Sequence, residues 1–473
     1  MNPRTAPERI LVIGSGITAL CAALAFARAL PRARVTLVAT PLRPDALADR
    51  LPALDTRALA LLARFGVDER VLLAAAAATH RVGQRFAWGG APFTVEEGDG
   101  LPLLAGASLH QLWRAHGDGP LHALVPGAAL AAAERFVHPD EEIGALRARF
   151  DYALRLDPGE APALLAAVAH AAGVHMVSAG RAVPAPDGGA TIDGEHVTAD
   201  LVVDAAGPRE SDDWIDWRET LPADRLLLAA GPPAPSPTDH YQAVADGWTA
   251  RWPLARRTLT GFAYAGAITD DARARRAFGT GAEGVAIRPG RRATPLTGRL
   301  LALGDAAAAP GPLGWHGLPL ALAQLELALD LMPARNDAPD IAAEYNRRAG
   351  TMAERVHAYA AAFYLAGEAR KGAFWHALRD RAAPPELATA RAQFGRRGTL
   401  PPIEDAMIAR GSWQQALTGL GIRPEIADPL AVSVPRTSAV AALTQLRQAV
   451  AALAGALPPY PDMLAAMRRD ERR

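Results

Sequence analysis

One cysteine and one lysine are all that this chain of 473 residues holds of either. The lone thiol, Cys21, excludes an intramolecular disulfide and any cysteine cluster around a metal, and it fits a reducing compartment. Lysine occurs only at Lys371, so every other basic residue is an arginine. A GC-rich genome accounts for that bias, and a reactive side-chain amine has one address. A surplus of either charge is also missing. Lys+Arg and Asp+Glu number 50 each, without the basic excess by which proteins hold nucleic acid. No His, Asp and Glu spacing suggests a metal, and no Gly-x-Ser-x-Gly supports a hydrolase. Long apolar runs are scarce. Residues 11–30, LVIGSGITALCAALAFARAL, mimic a signal peptide or a membrane span, but Pro, Arg and Glu precede them and Arg28 interrupts them. A strand, a glycine turn and a buried helix account for them better. No other run reads as long enough to span a bilayer, so the expectation is a cytoplasmic protein without a membrane partner.

What is present suffices for more than one core, with half the residues hydrophobic and 21% charged. RILVIG reads as a buried strand, SGITALCAALAFARAL as a helix and RVTLVAT as a second buried strand, a β-α-β opening. Residues 55–78 read as helices, with RVLLAAAAATH as one helical run. LDPGEAPALLAAVAHAAGVHMV reads as a helix stopped by Gly173 and then a strand, and GEHVTADLVVDAAG as a turn and a buried strand. Residues 238–268 alternate as antiparallel strands do, and RLLALGDAAAA is a further buried strand. From 336 onward the chain is mostly helical, with Pro-rich breaks near 383, 401, 424 and 458. The expected fold is therefore α/β. A three-layer Rossmann-type nucleotide domain takes 1–60, 150–210 and 295–335. An antiparallel substrate part is interleaved at 61–149 and 211–294, and a helical region takes 336–473.

Three pieces point to one nucleotide. In the first, Gly14 permits a tight turn, Gly16 lets a pyrophosphate approach the backbone, and Ala19 lets the helix pack on the strand. Ile17 and Thr18 open that helix, whose unpaired N–H groups face the phosphates. The acid that usually grips the ribose is missing, since the second strand ends in Ala39 and Thr40, with Asp45 nearby as a weak substitute. The second piece, ADLVVDAAGPR, delivers Asp204 and a turn at Gly207, or is an ordinary strand and turn. In the third, Gly304 precedes Asp305, which can accept a bond from a ribityl hydroxyl. Pro310, Gly311, Pro312 and Gly314 build a loop, and Gly317 and Leu318 open a helix whose amides can face a flavin ring. Their order and spread over about three hundred residues suit FAD rather than NAD, whose site closes within one compact stretch.

With these pieces the chain resembles the flavin-dependent tryptophan halogenase family, a branch of the FAD-dependent monooxygenases. The resemblance extends to FDYALRLDPGEAPALLAAVAHAAGVHMV, DWRETLPADRLLLAAG, DGWTARWPLARRTLTGFAYAGAITDDARA, EYNRRAGTMAERVHAYAAAFY and SWQQALTGLGIRPEIADPLA, nearly the whole chain. It implies an oxidoreductase whose reduced FAD, supplied by a separate flavin reductase, reacts with oxygen to give a flavin hydroperoxide. A halide attacks this to give hypohalous acid, which travels to a lysine beside an aromatic substrate, assisted by a glutamate. A homodimer is left open.

The chain departs from that pattern where the chemistry lies. THRVGQRF is similar to the family's lysine-bearing phrase, with Thr79 and Gly83 matching and Arg81 in the lysine's place. A guanidinium stays protonated and is a poor nucleophile, although it can hold an anion. Arg81 is thus an anion holder or a surface arginine. Gly314 stands at the family glutamate, followed by Trp315 and His316. His316 is either a donor or general base at the flavin's reactive edge or a histidine packed under a helix start. DALADRLP replaces the Gly-rich strap after the second strand. In GWTARWPL the first signature tryptophan survives as Trp248, Ala250 takes the place of the second, and Trp252 that of the isoleucine. Trp248 and Trp252 face one side of a strand, as a substrate wall or as core. His110 is a weaker substrate-side candidate. Three functions follow from the residues: a flavin-dependent oxygenase acting on an aromatic or indole-like substrate without a lysine relay, a true halogenase with rearranged groups, and a non-catalytic FAD-fold partner or sensor.

Overall fold

The computed structural model describes residues 5–98, 103–139, 150–185, 188–333, 339–366, 370–400, 403 and 405–470. The foreseen break near 401 and the boundaries at 149 and 336 lie outside these. The chain divides into two compact units, one of residues 1–78, 155–224 and 285–357, the other of residues 79–154, 225–284 and 358–473.

The first unit is organised by a six-stranded sheet. β1 (Arg9–Ile13) lies at its centre, parallel to β2 (Arg34–Ala39) on one side and to the strand Leu201–Asp204 on the other. His175–Ser178 continues beyond β2 and Leu300–Ala302 beyond Leu201–Asp204, both parallel. Leu296–Thr297 closes the far edge antiparallel. Four of the five β1 residues are buried, as a strand covered on both faces requires. The crossover from β1 to β2 is α1 (Ile17–Ala29), buried from Ile17 through Phe26, and it carries its one charge, Arg28, in the last turn where the helix dipole favours a cation. Cys21 lies inside it, fully buried. A short helix, α2 (Leu47–Arg50), follows β2. The helix over Thr56–Arg64 is capped by Asp55, whose carboxylate accepts from the Ala58 N–H at 2.8 Å, and Asp68 caps Glu69–Ala75 in the same way.

The second unit carries an antiparallel sheet in the order Arg225–Gly231, Thr258–Tyr264, Gly247–Pro253, Thr238–Val244. Thr238–Val244 then pairs parallel with Gly83–Ala87, which pairs antiparallel with Phe93–Glu96. Helices Arg410–Gly419 and Arg436–Ala456 belong to this unit's C-terminal part. The parallel sheet, the antiparallel sheet and the helical C-terminal region expected from the sequence are all present.

Three local readings change. Thr79 and His80 do not extend a helix, which stops at Ala75; they begin the strand Thr79–Arg81. Ala77, at φ +48, breaks the helical path between them. The segment before Leu201–Asp204 is a further strand, Glu195–Thr198, fully exposed and therefore without an apolar signal. Arg436–Ala456 is a 21-residue helix that length and composition alone would allow to cross a membrane, although no such run was read beyond residues 11–30. Its Gln, Thr and Arg residues break up the apolar run. Ala439 and Leu443 pack into the same cluster as Leu109 and Leu112.

Candidate functional site

The three nucleotide-type pieces meet in the first unit, and all of them meet the same segment. Gly14, at φ +135, makes the turn after β1; a side chain there would come within 2.5 Å of the Ala205 carbonyl. Gly16 is the N-cap of α1, so Ile17, Thr18 and Ala19 form its first turn. The Thr18 N–H donates to the carboxylate of Asp49 at 2.7 Å. That carboxylate lies so close to Gly16 that any side chain at 16 would collide with it. Asp305 accepts from the Ala48 N–H, also at 2.7 Å. Gly317, at the start of the helix Gly317–Leu331, packs on Ala48, where an added Cβ would lie 3.1 Å from its Cα. Gly207 packs on Ala46 and Arg43, and Gly304 on Thr18. Residues 43–49 thus run across the helix N-terminus, the second turn, the Asp305 carboxylate and the third glycine.

Burial governs the acids here. Asp49 and Asp305 are both almost entirely enclosed. Desolvation pushes the Asp49 carboxyl up to about 6, against the lowering effect of the Thr18 and Ile17 amides. Asp305 is raised well above the usual carboxylate range by burial, the Ala48 amide opposing it and the charges of Asp49 and Asp45 adding to it. Asp204 is raised by burial and partly relieved by Arg209, which it meets at 2.6 Å. Asp45 pairs with Arg43 at 2.9 Å.

The loop before Gly317 carries strain. Gly314 has φ +78, and Trp315, a non-glycine residue, has φ +56 while fully buried. The His316 imidazole lies over Gly314, so that a side chain at 314 would strike it.

In the second unit, Arg81 is buried, which corrects its reading as a surface residue. Its Nε lies 2.7 Å from Glu97 Oε1 and its Nη1 lies 3.4 Å from Asp239 Oδ2. Burial alone would lower its pKa, but the two carboxylates outweigh that and hold it above its ordinary value. Trp248 and Trp252 are fully enclosed as well. Trp248 donates from Nε1 to the Tyr364 hydroxyl at 2.8 Å, and Trp252 to the Tyr241 hydroxyl at 3.1 Å. Both serve the core. They do not line the unit's cavity of about 520 Å³, which is walled by Trp88, Phe93, Trp113 and Leu121, with His110 and Thr418 among its polar groups. His110 Nε2 lies 3.1 Å from Thr418 Oγ1. Burial pushes its imidazole down to about 4, a bond to the Gly398 backbone opposes this, and the Arg114 charge adds to the lowering. His110 is therefore neutral near pH 7.

The family described as tryptophan halogenase matches residues 9–436. The chain belongs to the tryptophan halogenase family. The comparison with curated proteins finds no match. Among solved structures, this halogenase-family chain is similar to BrvH, a flavin-dependent halogenase from Brevundimonas sp. BAL3, at 24% identity and a TM-score of 0.87, covering 98% of this chain and 99% of that one. It is similar to Xcc4156, a flavin-dependent halogenase from Xanthomonas campestris, at 22% identity and a TM-score of 0.89, covering 98% of each. It is also similar to SttH, a tryptophan 6-halogenase from Streptomyces toxytricini, at 20% identity and a TM-score of 0.84, covering 97% and 100%. At these identities the likeness establishes the fold.

Flavin-dependent halogenases use FAD, a partner flavin reductase and an aromatic substrate. The polar groups of this family member suit part of FAD: donor amides at the start of a 13-residue helix, and an acceptor carboxylate at Asp305. In the conformation described, however, the residues do not fit the bound cofactor. The Asp49 carboxylate engages the Thr18 amide, and the Ala48 amide engages Asp305. The loss of the strap's glycines is visible in the sequence, whereas Asp49, Glu97 and Asp239 are not marked there as site residues. The available signal for Asp49 is the pair of aspartates, Asp45 and Asp49, in DALADRLP where a glycine-rich loop is expected.

Proposed function

We propose that this member of the family oxidises an aromatic, indole-sized substrate without relaying the oxidant through a side-chain amine. The observation that carries the reading is Arg81, enclosed and ion-paired with Glu97 and Asp239 at the position that matches the family's lysine. A guanidinium held between two carboxylates has no free lone pair with which to take up a halogen. FAD, if bound and reduced by a partner reductase, would supply the chemistry with oxygen. The protein's part is to bind the substrate and exclude water. A cavity of about 520 Å³ has the capacity for a bicyclic ring, and Trp88, Phe93 and Trp113 offer faces and edges for stacking. A neutral His110 beside Thr418 can accept or donate one hydrogen bond to a ring N–H or hydroxyl.

The test is a reaction mixture of the protein, FAD, a flavin reductase, NADH, oxygen, bromide and indole, read by mass spectrometry. Product heavier by one oxygen supports the reading; a bromine isotope pattern overturns it in favour of a rearranged halogenase. A second reading, a non-catalytic FAD-fold protein, is favoured by Asp49 and Ala48, which engage the Thr18 amide and Asp305.

A further inference from the structure

We infer that Asp49 is an internal stand-in for the cofactor's pyrophosphate, and that FAD binds this protein only in competition with the Ala46–Arg50 segment. The inference deepens the flavin reading above and rests on the family's use of FAD.

Two groups that a dinucleotide would need are engaged by one stretch of chain. The Thr18 N–H, in the first turn of α1, donates to Asp49. Asp305, the acid suited to a ribityl hydroxyl, accepts from Ala48. The single Thr18 N–H does not serve two partners at full strength, and one Asp305 oxygen is already engaged. The space is taken as well as the bonds, since the Asp49 carboxylate lies against Gly16 and Ala48 lies against Gly317. Charge gives the same answer. A pyrophosphate on the Thr18 amide would meet the buried Asp49 carboxylate, which repels it whenever ionised. The segment therefore has to withdraw before FAD enters. The helix α2 is four residues long, with Leu47, Ala48 and Asp49 buried, and Ala48 and Asp49 bond to Asp305 and Thr18.

The arrangement imposes a cost on apparent affinity. When the open form is a minor population, the observed dissociation constant is the intrinsic one divided by the open fraction, so a latch that keeps nine-tenths of molecules closed weakens binding about tenfold. Removing the carboxylate removes the Thr18 tie and with it part of that cost, while the Ala48 bond remains.

The experiment is an FAD titration at pH 7, followed by quenching of flavin fluorescence, on the wild type and Asp49→Ala. The expected result is binding several-fold tighter in the variant, up to about tenfold if the Asp49 tie carries the whole latch. Equal or weaker binding by a variant whose circular dichroism matches the wild type overturns the proposal. Hydrogen exchange on the wild type at saturating FAD gives a second readout should the variant fold poorly. Peptides over 44–51 should lose protection while those over 16–20 keep theirs. Bound FAD with 44–51 still protected overturns the proposal. If neither protein takes up FAD, the proposal also falls, and the non-catalytic reading gains. None of these readouts measures turnover, so product analysis can fail or succeed independently.

Discussion

Asp49 and Thr18, 31 positions apart in sequence, are joined by a 2.7 Å bond at the start of α1. Asp49 is enclosed, and its carboxyl is held near 6, above the ordinary carboxylate value, chiefly by burial. The groups that bear on it include Thr18, Ile17, Cys21 and Asp305, with Asp45 also acting on Asp305. Asp49 therefore binds more proton in the folded than in the unfolded state between about pH 4 and 6, and its contribution to stability falls as pH rises through that window and then levels off, while the depressed His110 acts in the opposite sense. In thermal melts the stability of the wild type relative to Asp49→Asn should fall from pH 5 to pH 7. The variant cannot titrate at 49 and keeps the contributions of Asp305 and His110, so the comparison isolates Asp49. An unchanged profile in the variant would show that Asp49 is ionised throughout.

The ion-paired state of Arg81 makes it a poor site for simple reversion. Arg81→Lys should yield no halogenated indole, because Glu97 and Asp239 would hold the ammonium protonated as they hold the guanidinium. Isotope patterns in the product mass spectrum decide this. Arg81→Met should cost about 3–5 kcal/mol in urea denaturation, since it leaves the fully buried Asp239 without its cation. The double variant with Asp239→Asn should recover a large part of that loss.

Restoring the family glutamate should fail for a separate reason. Gly314 has φ +78, and a side chain there runs into the His316 ring. An L-residue in that region costs about 1–2 kcal/mol before any clash. Gly314→Glu should lower the melting temperature, and Gly314→Glu combined with His316→Gly should recover part of the drop. A Gly314→Glu protein as stable as the wild type would show that the loop repacks freely.

Binding to the aromatic-walled cavity should be insensitive to pH across the neutral range. His110 titrates near 4, so it stays uncharged from pH 5.5 to 8. Indole affinity, followed by quenching of tryptophan emission, should hold constant over that range, and His110→Ala should weaken it several-fold. A step in affinity near pH 6.5 would mean that the imidazole is far more solvated than its surroundings imply.

The layered fold was legible because its signals are local. The apolar run of β1, the glycine turn and the all-round apolar α1 each announce themselves within a few residues. So did the convergence of Gly14, Asp305 and Gly317, which the order of the three pieces implied. The ties that change the functional reading join residues far apart. Arg81 and Asp239 are 158 positions apart, and Ala48 and Asp305 are 257 apart. No periodicity reports such pairs. Trp248 and Trp252 illustrate the converse limit, because strand spacing correctly put them on one face but could not say whether that face met ligand or core.

Cys21 sits one turn along α1 from Thr18, fully enclosed, with its thiol far above the ordinary range because of burial first and the Asp49 charge second. Thiol reagents should therefore pass over the native protein and mark it only when this end of the helix opens. A chain with a single sulfhydryl carries its own label beside the Thr18–Asp49 contact, and the rate of alkylation, with and without flavin, becomes a clock for its opening.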